Sequence, residues 1–196
     1  MVRTMLSAAA LMIVCVSAQA DALHLNPSQR ATATGMATFG STSIPFGYYE
    51  YCQRYAERCS RPAEGRTITL TRDRWAQVVD INNLVNATVA PKTDMEIFGK
   101  EERWEYPVDA GDCEDYALQK RKLLNELGFP LGALLMTVGR DADGGGHAVL
   151  TVVTDAGDFV LDNMEERVLL WRDAELTYLK RQSGENPNVW VSLVSG

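Results

Sequence analysis

Histidine is almost missing from this 196-residue sequence, which has two, His24 and His147. Cysteine is also sparse, at four residues, and none stands in a zinc-ligand spacing. There is no glycine-rich phosphate loop and no paired-carboxylate pattern of a glycosidase, so nothing points to a nucleotide enzyme or to sugar hydrolysis. Basic residues are outnumbered, 19 Lys and Arg against 26 Asp and Glu, for a formal charge of −7 at pH 7. An acidic chain of this kind is a poor candidate for binding nucleic acid or anionic lipid. Internal repeats are absent. Beyond the first twenty residues, no apolar run is long enough to span a bilayer.

Those first twenty residues, "MVRTMLSAAALMIVCVSAQA", have a basic start at Arg3, an apolar run from Met5 to Ser17 and a small-residue ending, Ala18-Gln19-Ala20. This is the pattern of a cleavable secretory signal. A lipoprotein reading of Cys15 fails because Val14 precedes it where a small residue is needed. Cleavage before Asp21 leaves 176 residues and, with Arg3 gone, 18 basic against 26 acidic groups, a charge of −8. That length is enough for one domain with a real core. The expected organisation is a signal over 1–20, a polar arm over 21–45 and a single domain over 46–196, in a periplasmic or secreted protein.

In an oxidising compartment, the three cysteines that outlive the signal suggest one pair and one free thiol. Cys52 and Cys59 are the natural pair. A continuous helix would hold them about 10.5 Å apart, beyond the roughly 7 Å limit for a disulfide. A helix there must therefore break before Cys59, and Cys113 is left free.

The arm carries "ATATGMATFGSTS", small and polar without a period, and reads as a tether. "PFGYYEYCQRYAERC" reads as a short aromatic helix. A second helix follows Thr71 as N-cap, with Trp75, Val78, Val79, Ile81, Leu84 and Val85 as its apolar stripe and Pro91 beyond its end. A long charged connection then leads to a helix from about Asp112 to Leu127, with Tyr116, Leu123, Leu124 and Leu127 facing inward and Gly128 and Pro130 as stops. After that the period changes. "GALLMTVG", "HAVLTVV", "DFVLD", "RVLLW" and "NVWVSLV" read as strands. Helices first and strands after predict an α+β fold with helices packed on an antiparallel sheet.

Three residues fall at positions suited to acyl transfer: Cys113 at a helix start, His147 at a strand start and Asp162 at the end of the next strand. A thiolate attacks a carbonyl, an imidazole moves the proton, and a carboxylate fixes the imidazole's tautomer. Each has a plainer explanation: a small buried thiol, a structural histidine, a turn aspartate. A hairpin turn centred between Thr154 and Asp155 would set His147 opposite Asp162. A turn on Ala156-Gly157 would set Asp162 opposite Thr151, roughly 13 Å along the strand from His147. The triad then requires the earlier turn or a bulge near Gly157.

"GDCEDYALQKRKLLNELG" followed by "GGGHAVLTVVTDAGDFVLDN" resembles the bacterial transglutaminase-like cysteine proteinases, whose best-known branch is the periplasmic LapG-like adhesin proteases. The likeness extends upstream through "PFGYYEYCQRYAERC", "WAQVVDINNLVNATVAP" and "WEYP", roughly Pro45 to Trp171. It implies a papain-like, transglutaminase-core fold with Cys113 as nucleophile, His147 as base and Asp162 as orienting carboxylate. It also links the acidic residues around the cysteine, here Asp112, Glu114 and Asp115, to calcium. Hard oxygen ligands suit calcium, and the ion would offset the charge that disfavours a thiolate. The plainer reading, which does not exclude the ion, makes Asp112 an N-cap with Glu114 and Asp115 complementing the helix dipole. Further oxygen ligands would come from the loop around Asp94 to Glu105. The expected oxyanion donor is the Cys113 backbone N–H.

The function expected is an exported thiol protease acting on a protein or peptide substrate, with no organic cofactor. The LapG-like branch implies a surface adhesin as substrate and a membrane-anchored regulator as partner. The alternatives are transglutaminase or amidase chemistry on glutamine, and a catalytically silent peptide-binding module.

Overall fold

The computed structural model describes residues 35–60 and 65–193. The signal expected over 1–20 and most of the arm expected over 21–45 lie outside the described residues. Helix α1, Phe46–Arg54, follows Pro45, which has no N–H to leave unsatisfied at a helix start. It stops at Tyr55, whose backbone (φ −123°, ψ 54°) is not helical, and a separate turn, α2 (Ala56–Cys59), begins there. This break brings the Cys52 and Cys59 α-carbons to 5.7 Å, and the two form a disulfide.

Helix α3 spans Arg72–Thr88, and Thr71 Oγ1 caps it by accepting from the Arg74 N–H at 3.2 Å. The inward stripe differs from the expected one. Val78 and Val85 are buried, but Leu84 is half exposed and Asn82 is buried in its place. Asn82 tolerates this because its Nδ2 donates to the Glu166 carbonyl. The long connection contains its own short helix, α4 (Asp94–Phe98), with a Thr93–Glu96 capping box and Gly99 at φ 65° ending it. Trp104, fully buried against Tyr48 and Trp190, anchors the rest of that connection to the core.

Helix α5, Cys113–Glu126, is buried on more than one face. Ala117, Leu118 and Leu124 are buried as a core helix requires, yet so are Glu114, Asp115, Lys120 and Arg121, while Leu127 is exposed. Arg121 is satisfied by donating from Nε to the Leu134 carbonyl at 2.9 Å.

Two-residue strands β2 (Ala90–Pro91) and β3 (Ala110–Gly111) pair in parallel and clip the end of α3 to the start of α5. Strands β1 (Phe39–Thr42), β4 (Leu134–Arg140), β5 (Gly146–Thr154), β6 (Gly157–Leu161), β7 (Leu169–Leu170), β8 (Thr177–Gln182) and β9 (Trp190–Ser192) form one sheet in the order β1-β9-β8-β4-β5-β6-β7. All of its pairs are antiparallel. The architecture is the expected α+β, with α5 laid across β4 and β5.

Two sequence readings change. Residues 39–42 of the supposed tether form edge strand β1, because backbone pairing with β9 needs no side-chain period. Strand β8, "TYLKRQ", was not anticipated. It lies between β4 and β9, but its charged, half-exposed side chains hide the strand signal. "RVLLW" is in turn a strand only at Leu169–Leu170 before a 3-10 turn begins at Trp171.

Candidate active site

The β5–β6 hairpin pairs Thr154 with Gly157 and Leu150 with Leu161, so its turn is centred between Asp155 and Ala156. This falls between the two registers considered from sequence. One step past the last pair, Asp162 lies opposite Val149, two residues from His147 on the same strand face. Such diagonal neighbours stand about 7–8 Å apart at the backbone, and the two side chains bridge the gap. His147 Nε2 and Asp162 Oδ1 are 2.8 Å apart. Neither the earlier turn nor a bulge is needed.

Asp162 Oδ1 also accepts from the Met164 N–H at 2.9 Å, and the Asp162 carbonyl accepts from Asn86 Nδ2 of α3 at 2.9 Å. Burial pushes the Asp162 carboxyl up. The bond to His147, the imidazole's charge, the Met164 N–H and Lys120 together outweigh that and hold it below the usual carboxylate range. Asp162 is thus an ionised acceptor. It accepts a hydrogen bond from His147 Nε2–H and so leaves Nδ1 as the basic nitrogen.

Cys113 opens α5 and is the free cysteine among the described residues. Its sulfur meets the backbone N–H of Ala148, the residue after His147. The thiol is nevertheless pushed far up, first by burial and then by the Glu114 carboxylate, to which Sγ donates at 3.1 Å. Although successive helical side chains point about 100° apart, the Glu114 carboxylate therefore reaches the sulfur.

The acidic residues do not cap the helix in the way a plain N-cap would. Asp112 occupies the N-cap position but makes no side-chain cap bond. Its Oδ2 instead accepts from the Asp94 N–H of α4 at 3.2 Å. Asp94, Asp112 and Glu114 each bring an oxygen within 4.8 Å of the others. Asp94 Oδ1 and Asp112 Oδ1 are buried without a hydrogen-bond partner. Burial raises Asp112 against a lowering hydrogen bond with Glu114, while burial and then the Asp112 charge raise Glu114 to about 9 and Asp94 to about 6.

Asp115, expected in this set, turns aside. Its Oδ1 accepts from the Glu105 N–H at 2.7 Å, and its Oδ2 is buried without a partner. A Cβ on Gly111 would lie 2.7 Å from the Asp115 side chain, so glycine is what allows this close approach. Burial above all, with Asp112 and Asp94 nearby, raises Asp115 to about 8. Asp94 was legible only as one acid in a charged loop, because nothing local marks the fold-back of α4 onto α5.

A cleft of about 230 Å3 opens on the other side of the hairpin, lined by His147 and Asp162 together with Asp141, Glu165, Arg167 and Glu175. Asp141 does not lead a cation loop: its Oδ1 accepts from the Asp143 and Gly145 N–H groups, as a turn aspartate does.

The sequence profile of the bacterial transglutaminase-like cysteine proteinases matches residues 38–196. Among solved structures, LapG of Legionella pneumophila is similar, at 26% identity and a TM-score of 0.51 over 60% of this chain and 68% of LapG. The calcium-bound form of that protein is similar at 23% identity and a TM-score of 0.52, over 75% of this chain and 89% of the other. Its EGTA-treated form gives 26% and 0.51, over 60% and 67%. Among curated proteins, none matches this chain. With a family match across most of its length and a fold shared with LapG, this chain belongs to the bacterial transglutaminase-like cysteine proteinases and is a cysteine peptidase.

Proposed function

We propose that the protein is an exported thiol endopeptidase that cleaves a protein substrate through Cys113, His147 and Asp162. The observation that carries this reading is the 2.8 Å bond between His147 Nε2 and Asp162 Oδ1, with the Cys113 sulfur against the neighbouring Ala148 N–H. His147 Nδ1 takes the Cys113 proton, and the thiolate adds to the peptide carbonyl carbon. The Cys113 backbone N–H, at a helix start and so without an intrahelical acceptor, donates to the resulting oxyanion. As the C–N bond breaks, His147 returns the proton to the leaving amine. Water then gives a proton to His147 and its oxygen to the acyl carbon, which frees Cys113 and the carboxylic acid product.

We propose further that Asp94, Asp112 and Glu114 hold calcium, with Asp115 as the fourth acid around the site. The buried carboxylate oxygens without partners favour a hard cation, and an all-oxygen set of donors suits calcium. Calcium, when bound, supplies positive charge against these carboxylates. A Glu114 that held the ion would no longer accept from Cys113 Sγ and would leave the thiol proton to His147. Calcium-bound and EGTA-treated forms of LapG exist, which supports looking for the ion here.

The pattern over residues 1–20 supports export, and N-terminal sequencing of the secreted or periplasmic protein should begin at Asp21. The likeness to LapG favours a large surface adhesin as substrate and a membrane-anchored regulator as partner. The test is to compare exported proteins after incubation with the wild type or Cys113→Ala, with calcium present. Discrete fragments made only by the wild type are expected. Ammonia release without fragments would replace the peptidase reading by amidase or transglutaminase chemistry, and no difference between the two proteins would overturn both.

A further inference from the structure

Lys120 has no part in the chemistry above, yet it is wholly buried beneath it. It follows Cys113 by seven residues, two helical turns along the same face of α5. Its relative exposure is 0%, and Nζ has no hydrogen-bond partner among the described residues. The Tyr116 ring lies 6.0 Å from Nζ, a weak cation–π distance that does little to replace lost hydration. A buried ammonium is strongly disfavoured unless a counter-charge answers it. No carboxylate of the described residues lies within ion-pair distance of Nζ, and the charge that acts on it at longer range is that of Asp162. Burial lowers Lys120 to about 7 while Asp162 draws it back up, and Lys120 is in turn one of the groups that keep Asp162 ionised. An apolar side chain of the same length would fill this volume without that cost, so the charge itself calls for an explanation.

Resting on the proteinase reading, we propose that Lys120 is a positioning residue of the catalytic centre, whose buried ammonium holds Asp162 as the carboxylate that orients His147. Asp162 meets His147 on its Oδ1, Asn86 of α3 holds the Asp162 carbonyl, and Lys120 of α5, buried and unpartnered, supplies positive charge to Asp162 at longer range. The other charged groups facing His147 are Asp141, Glu165, Arg167, Asp173 and Glu175 across the cleft, with Glu114 on the Cys113 side. Glu165 and Arg167 neutralise each other in an ion pair of 3.0 Å. Most of that surrounding charge is negative and partly solvated, so it does not substitute for a buried cation.

The test uses Lys120→Met, which keeps the length and removes the charge, in calcium-containing buffer. Turnover should fall about 10–100-fold, the usual scale for groups that orient a reacting side chain, with KM little changed. The His147 imidazole, followed by NMR and assigned against His147→Ala, should titrate about one pH unit higher, because removing a nearby positive charge favours the imidazolium. In an Asp162→Asn background the same substitution should cost almost nothing further, since its effect runs through Asp162. Wild-type turnover with an unmoved His147 titration overturns the proposal, and so does a loss that adds fully to that of Asp162→Asn. Lys120→Gln is the second variant should Lys120→Met not fold, and failure of both to fold marks Lys120 as a structural residue only. The titration needs no substrate. It therefore decides the role of Lys120 even if the wild type cleaves no peptide, an outcome that would count against the proteinase reading instead.

Discussion

On the hairpin side of the candidate site, the buried carboxylate has its donors. His147 and Asp162 bond to each other, and Asp162 takes further donors from Met164 and Asn86. On the helix side the same count fails: Asp94, Asp112 and Asp115 each bury an oxygen with nothing to accept from, and the Cys113 thiol donates to Glu114. Buried carboxylates on the two sides therefore shift in opposite directions, Asp162 down and Asp94, Asp112, Glu114 and Asp115 up. Burial raises all of them, and what differs is whether the chain supplies donors and positive charge. The difference is that the chain itself supplies donors to Asp162, while it leaves buried oxygens of Asp94, Asp112 and Asp115 unanswered.

The largest effect should come from breaking the finished half. Asp162→Asn is expected to lower kcat by about 10²–10⁴-fold, because the amide holds His147 in the wrong tautomer, with a melting temperature close to wild type. Peptide cleavage at the wild-type rate in this variant would separate the hairpin from catalysis. Next comes the unfinished half. Chelation should reduce cleavage at least tenfold and slow alkylation of Cys113 by iodoacetamide near pH 6, since it returns the thiol proton to Glu114. Stability should rise with free calcium by about 1.4 kcal/mol per tenfold above the dissociation constant, and magnesium should substitute poorly. Glu114→Ala should lose the calcium response. If the wild type shows no response either, the raised carboxylates are simply protonated and the two halves differ less than their hydrogen bonds suggest.

A control outside both halves is the Cys52–Cys59 disulfide. Reducing it should cost about 2.5 kcal/mol for so short a loop, seen as a drop of about 5–10 °C in melting temperature, with Cys113 reactivity unchanged in the folded protein. Mass spectrometry of the non-reduced digest should find these two linked.

The smallest effect is a pH dependence confined to the metal-free protein. Asp94, raised from 3.8 to about 6, and Asp115, raised from 3.8 to about 8, bind more protons folded than unfolded. Their contribution is fully present below about pH 4 and is lost as pH rises through 6 and then 8. In chelator, the melting temperature should therefore fall by a few degrees (about 2–4 °C per kcal/mol) between pH 5 and 8.5. In calcium, which holds the carboxylates ionised, that fall should shrink. An identical slope in both buffers would mean that the acidic cluster does not feel the ion.

Much of this centre was legible as order and element. Cys113 at a helix start and His147 and Asp162 on successive strands stood out because histidine and free cysteine are so scarce that each role had one claimant. The Cys52–Cys59 pair was legible for a geometric reason, since a seven-residue spacing permits a disulfide only where a helix breaks. Strand β8 was not legible, because its lysine and arginine side chains lie on a partly solvated surface and erase the alternation that marks a strand. Lys120 and Arg121 read as the polar face of an amphipathic helix, but α5 is covered on that side too.

By itself the sequence determined which side chains are available for chemistry, the α+β class and where the helices at Phe46, Arg72 and Cys113 begin, because these follow from composition, periodicity and local capping. Only the tertiary structure decided which of them meet. The hairpin register rests on where the backbone turns, at Asp155–Ala156 rather than a residue earlier, and the bridging of a two-residue offset rests on side-chain length. The exchange of Asp115 for Asp94 in the acidic cluster depends on α4 folding back onto α5 across eighteen residues of chain. The electrostatics follow from those contacts, since a carboxylate's charge state is set by what lies within a few ångströms of it, and sequence spacing does not measure that distance.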